Sequence, residues 1–167
     1  MSSIFQPGLP VLISTDTQSL TANNTTANPP IFRITGSINV LQLYGVVTTN
    51  LSSNITAASW RLNDQTAQVA ITSAAGTTLS SILAGSVIMK TGLAAAALTK
   101  LDNAAGVIQE PTTLETTVPS PFVMVKKTGA NTDIEFKYTT TNTPATGAIQ
   151  FFLVWQPLSA DAAVTPQ

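Results

Sequence analysis

The sequence predicts an all-β, single-domain protein: a β-sandwich or jelly-roll-like barrel with an extended N-terminal arm and a short C-terminal tail. Three observations predict it. Runs rich in Val, Ile, Thr and aromatic residues recur at roughly two per 20 residues, with turn signals between them. The run Asp133-Ile134-Glu135-Phe136-Lys137-Tyr138 alternates charged and apolar side chains without a break, the period of a strand with one face buried. The length of 167 residues suits one domain, which buries roughly 70% of the surface its unfolded chain exposes.

Residues 1–30 carry Pro7, Pro10, Pro29 and Pro30 and a mostly polar run over 16–28. They are expected to form an extended arm or, equally, a frayed terminus, with Val11-Leu12-Ile13 as its one short strand. The body spans 31–156. Ile31-Phe32-Arg33-Ile34-Thr35 is a strand that breaks at Gly36, and 38–49 is one or two strands, with Gly45 marking a bulge or bend. Strands follow over 55–62 and 68–72, separated by the turn signal Asn63-Asp64, and two short strands are expected over 79–89 around Gly85. Residues 92–105, with Leu93, Ala94, Ala95, Ala96, Ala97 and Leu98, suit a helix or a loop with one helical turn.

Strand 133–138 is expected to point Ile134, Phe136 and Tyr138 inward and Asp133, Glu135 and Lys137 to water. Its expected hairpin partner is 121–126, across a turn at Thr128-Gly129-Ala130-Asn131. The run 147–155 places Ile149, Phe151, Leu153 and Trp155 on one face and Phe152 and Val154 on the other, so both sides of this strand should be covered. Residues 157–167 form the tail.

Composition excludes several function classes. Charged residues make up 9% of the chain, against about 25% in typical domains. Seven Lys plus Arg against eight Asp plus Glu give a net charge of -1, without the basic excess that phosphate contacts require, so no nucleic acid is expected as a partner. There is no Cys and no His, which removes disulfides, thiol catalysis, the commonest general base and the commonest neutral metal ligand. No signal-peptide pattern opens the chain, and the most apolar run, 82–98, is broken by Lys90 and falls short of the ~20 residues a membrane helix needs. A soluble, cytoplasmically made protein without membrane contact is the expectation.

No candidate chemistry survives inspection. Asp133 and Glu135 share a face, but a glycosidase pair needs an acid in an apolar pocket, and alternation puts both in solvent beside Lys137. Asn63-Asp64 and Asp102-Asn103 are isolated pairs suited to turns, not Ca²⁺ loops. There is no nucleophile elbow and no phosphate-binding loop. Trp60, Trp155, Tyr44 and Tyr138 sit in strand settings that favour packing over a sugar-stacking platform. Asn23, Asn24, Asn50 and Asn54 head formal glycosylation sequons, chance products of a Thr- and Asn-rich composition. No catalytic residue, cofactor or metal is expected.

Two stretches are more specific. Thr146-Gly147-Ala148-Ile149-Gln150-Phe151-Phe152-Leu153-Val154-Trp155-Gln156-Pro157-Leu158-Ser159 resembles the ending of small β-rich virion structural proteins of tailed bacteriophages. Those close with a Thr-Gly-x-Ile/Val strand, an aromatic before Pro-Leu, and a Gly-Ala-x-Val tail. Asp161-Ala162-Ala163-Val164 stands where Gly-Ala is expected. The stretch from Phe32 to Thr48 is similar to that group's opening strand pair, and together the matches cover roughly a quarter of the chain.

The resemblance implies a non-enzymatic virion protein present in many copies, foremost a head decoration (cement) protein. Its partners would be itself, as a homo-oligomer and specifically a trimer, and the major capsid protein. Few charges and many Ser and Thr independently suit neutral contacts between identical copies. Candidate interface positions are Val11, Leu12 and Ile13 in the arm, and Trp155, Pro157 and Leu158 at the C-terminal exit. The alternatives are a receptor- or carbohydrate-binding module of a tail fibre or baseplate, using loops 50–54 and 139–146, and a tail-tube or connector subunit.

Overall fold

The computed structural model describes residues 8–73, 79–90 and 121–167, and the backbone of 99–101. Two antiparallel sheets pack face to face as a β-sandwich. The strands are β1 (Val11–Ser14), β2 (Gln18–Ser19), β3 (Thr26–Ala27), β4 (Pro30–Thr35), β5 (Ser37–Thr49), β6 (Ile55–Asn63) and β7 (Gln68–Ala70). They continue with β8 (Val87–Met89), β9 (Thr99–Leu101), β10 (Phe122–Val125), β11 (Thr132–Thr140), β12 (Ala148–Pro157) and β13 (Ala163–Pro166). Sheet I has the order β1-β12-β5-β8-β9, with β2 also on β12 and β10 also on β5; sheet II has the order β13-β4-β11-β6-β7, with β3 also on β11.

The inward faces make the core. Ile134, Phe136 and Tyr138 of β11 and Ile149, Phe151, Leu153 and Trp155 of β12 are all buried, as alternation predicts. The Phe136 ring lies 5.0 Å from Phe151 across the sheets and 6.1 Å from Trp60 within its own. The Tyr138 hydroxyl accepts the Thr21 and Ala22 amides at 3.1 and 3.2 Å, so a core aromatic also holds the N-terminal segment.

Bulges explain where strict alternation fails. In β5, Val40 pairs Trp155 and Gln42 pairs Val154, leaving Leu41 as the extra residue. The inward set therefore changes phase from Ile38 and Val40 to Leu43 and Val47. An extra residue in β4 likewise lets the consecutive Ile31 and Phe32 both be fully buried. Gly45 marks no bulge. It lies where a Cβ would stand 2.8 Å from the Ile149 side chain, so its role is close approach.

Several expectations are corrected. Residues from 11 onward do not stand free as an arm: β1 and β2 pair with β12 and β3 pairs with β11 of the same chain. The tail is tied down too, with Val164 opposite Ile34 in the β13–β4 ladder. Both termini carry enough apolar residues to close sheet edges. The expected hairpin of 121–126 with 133–138 does not form. β10 pairs with β5 in sheet I and β11 with β4 and β6 in sheet II, because a strand next in sequence can cross the sandwich when its inward residues complete the opposite wall. Residues 79–89 contain one strand, β8, with Gly85 (φ 88°) in the turn before it. Of the helix-or-loop segment 92–105, only 99–101 is described, and it is strand; the remainder, with Asp102-Asn103, lies outside the described residues.

The Asn63-Asp64 turn forms as predicted and closes the β6–β7 hairpin. Asp64 Oδ1 accepts the Thr66 and Ala67 amides at 2.8 and 2.6 Å, and Lys127 Nζ lies 3.5 Å from Oδ2. The Ala67 and Thr66 amide bonds, with a smaller part from Lys127, hold the carboxyl below its ordinary value of 3.8. A carboxyl lowered on folding stabilises the fold above its unfolded value, and that stabilisation is lost as pH falls through the folded value. Asp64→Asn should therefore show a flatter loss of thermal midpoint below pH ~4 than wild type. Superimposable acid limbs would show that Asp64 does not contribute.

Candidate functional site

In an antiparallel sandwich the inner faces pack and the outer faces are normally polar. Sheet II follows that rule. Its outward positions carry Arg33, Arg61, Asp133, Glu135 and Lys137. Asp133 and Glu135, expected in water, are 7% and 6% exposed. Arg33 holds Asp133 through two hydrogen bonds of 2.8 and 3.0 Å. Arg61 Nε donates to Glu135 at 2.5 Å and Asn63 to its other oxygen at 2.6 Å. Alternation placed both acids on the outer face correctly, and cross-strand arginines then covered them. Both carboxylates are thus held by charged or amide partners on the neighbouring strands.

Sheet I breaks the rule. One row across its outer face runs Ser14, Phe152, Tyr44, Met89; the next passes through Gln150, Val46 and Val87. Toward the other end stand Leu12, Val154 and Gln42, then Val123 beside Asn39 and Val125 beside Ser37. Tyr44 and Phe152 stack with centroids 4.9 Å apart and planes inclined by 6°. Among the described residues, no outward position of this sheet is charged. Phe152 and Val154 are half-buried, so the cover expected on both sides of β12 is complete only on the inner one.

Exposed apolar side chains also gather on the two open sides of the sandwich. On the β1/β13 side, Leu9 (86%), Leu12 (60%), Val11 and Leu158 are exposed. On the β7/β10 side, Val69, Val123 (62%) and Val125 (63%) are exposed around an apolar cleft of about 300 Å³. The cleft is lined by Leu62, Ile71, Phe122 and Met124 and holds the buried Lys90, whose ammonium sits 5.1 Å over the Phe122 ring. Burial pushes the Lys90 amine below its ordinary value of 10.5.

The six interface positions predicted from sequence come together on adjacent strands. Val11, Leu12 and Ile13 lie opposite Trp155, Val154 and Leu153, and Gln156 donates to the Gly8 carbonyl at 3.4 Å. They do not all face outward. Trp155 is 7% exposed and Ile13 packs against the core, because both fall on the inward phase of their strands. Val11, Leu12 and Leu158 remain as surface, and Pro157 is half-buried. Sequence reasoning missed Val123 and Val125, although Phe122-Val123-Met124-Val125, apolar at every position, carried the signal of a strand to be covered on both faces.

Loops 50–54 and 141–147 spend their polar groups on each other. Asn54 Nδ2 donates to the Thr143 carbonyl, and Ser52 Oγ accepts the Thr146 amide at 3.0 Å. Trp60, Trp155 and Tyr138 are buried and form no exposed ring platform. Among the described residues, no group of three His, Cys, Asp or Glu meets as a metal site, and no helix is long and apolar enough to cross a membrane. Comparison of the chain with protein-family models, curated proteins and solved structures finds no match.

Proposed function

We propose that this chain is a non-enzymatic structural protein of a tailed-phage virion, a head decoration protein that binds the major capsid protein and further copies of itself. One observation carries the reading. Of two outer sheet faces, one holds five charged side chains and the other holds none among the described residues. A neutral face of Tyr, Phe, Val, Gln, Asn and Ser can be covered by another protein without desolvating a charge, and depletion of charge is the compositional mark of an interface core. The charged face of sheet II would then look to solvent. The C-terminal resemblance to phage virion proteins falls on β12, a strand of the neutral face, which adds to the case.

The role is tested by adding the purified protein to phage heads that lack it. Saturable binding with a rise in the thermal stability of the heads is the expected outcome. A protein that ignores heads would be reassigned to the tail, and host glycans would be screened next.

A further inference from the structure

Among the described residues, sheet I ends on one side at β1, and that edge is open. The Thr15 amide donates to the Phe151 carbonyl at 2.9 Å, and Val11 stands opposite Trp155 in the same register. Hydrogen-bonded pairs in an antiparallel ladder fall on alternate residues, so Val11, Ile13 and Thr15 bond toward β12 while Leu12 and Ser14 turn their amides and carbonyls away from it. β13 of sheet II comes near β1, but among the described residues no backbone hydrogen bond joins the two. Open edges are usually protected by charge or proline. Pro10 removes the outward amide just before β1, but residues 8–15 carry no charge. Leu9 (86%), Val11 (43%) and Leu12 (60%) are exposed there.

We propose that a second copy of the chain closes this edge: β1 pairs with the partner's β1 about a twofold axis perpendicular to sheet I, with Leu12 opposite the partner's Leu12. This rests on the self-association in the reading above and names its edge and symmetry, a twofold in place of the trimer that the resemblance implies. Such an axis reverses the strand and keeps the same face of the sheet outward, so the pair it creates is antiparallel. The outward groups then meet. The two Leu12 residues exchange amide-to-carbonyl bonds in both directions, and each Ser14 amide donates to a Pro10 carbonyl of the other copy.

Side chains and charges agree with that register. On the outer face Leu12 meets its own copy, and on the inner face Val11 meets the partner's Ile13, so these cross-strand pairs are apolar. The next register, with Ile13 on the axis, would set Leu12 against Ser14 instead. None of β1, β12 and β13 carries a charged side chain, so the pairing desolvates no charge on these strands. Asp16, the first acid after β1, falls opposite the partner's Gly8, which leaves the two copies of Asp16 at opposite ends of the pair. A partner selected by charge finds no counter-charge on this edge, whereas a second copy brings the same neutral, apolar strand.

The test uses Leu12→Asp and Leu12→Lys, with circular dichroism and thermal melting to establish that each folds as wild type does. Mass is measured by sedimentation equilibrium. Wild type should be a dimer of the 17.4 kDa chain. Each variant alone should be a monomer, because the twofold sets its new charge against an identical one. An equimolar mixture of the two should recover a dimer with one copy of each, since Asp then faces Lys. Val69→Asp, exposed on the other open side, should stay a dimer. A wild-type monomer or trimer, variants that remain dimeric, or a mixture that stays monomeric would overturn the twofold pair. A wild-type monomer whose binding to heads is lost in Leu12→Asp would give the edge to the capsid protein instead. No heads enter the mass measurement. A monomer that still saturates heads refutes the dimer alone, and a dimer that ignores heads refutes the decoration role alone.

Discussion

Phe136→Ala is expected to cost about 4 kcal/mol of folding stability, the middle of the range for truncating a buried aromatic. Phe136 is fully buried and touches three other rings: Trp60, Tyr138 and, from sheet I, Phe151. Its removal empties the seam between the sheets. The neighbours are held in hydrogen-bonded ladders and cannot collapse into the space, so the cavity term adds to the lost transfer energy. Chemical denaturation measures the loss. The control is Phe152→Ala on the outer face, where the ring is half-buried and the cost should be less than half as large. Equal losses would mean that the sheets are not joined through Phe136.

Gly147→Ala is the second large effect, expected at about 3 kcal/mol from backbone strain and steric overlap together. Gly147 has φ +111°, a conformation L side chains rarely adopt, and a Cβ there would lie 2.6 Å from the Asn50 carbonyl oxygen and 2.9 Å from Leu51 Cα. Both obstacles are backbone, and Leu51 is buried, so nothing yields easily. The thermal midpoint should drop by about 10 °C. Gly129→Ala separates the two causes: φ is +76° but no atom lies within 4 Å of the added Cβ. That variant should lose only about 1 kcal/mol, the strain alone. A Gly147 variant no worse than the Gly129 variant would show that the meeting of loops 50–54 and 141–147 is loose.

How much of this was legible beforehand follows from the range of each interaction. The strand periods of 133–138 and 147–155 and the turn at Asn63-Asp64 depend on residues a few positions apart, and all three appear as expected. Strand pairing is different. The ladder joining β1 to β12 links residues as far apart as Val11 and Trp155, and no local pattern encodes that choice. The hairpin expected between 121–126 and 133–138 failed for the same reason: a turn signal fixes where the chain reverses, not whether the next strand pairs beside the last or crosses to the other sheet.

The candidate surface divides in the same way. Scarcity of charge was plain in the composition, and Val11, Leu12 and Leu158 were named from their positions near the chain ends. That the few charges gather on the outer face of sheet II, leaving the outer face of sheet I neutral, depends on the register of four strands at once. By itself the sequence determined the all-β class, the inward residues of its clearest strands and the absence of Cys and His, because these rest on alternation and residue chemistry. Only the tertiary structure decided which strands are neighbours, that Asp133 and Glu135 are covered by arginines, and that exposed apolar side chains gather on two sides of the sandwich. Those outcomes arise from contacts between segments far apart in the chain, and their energies exist only once the sheets have formed.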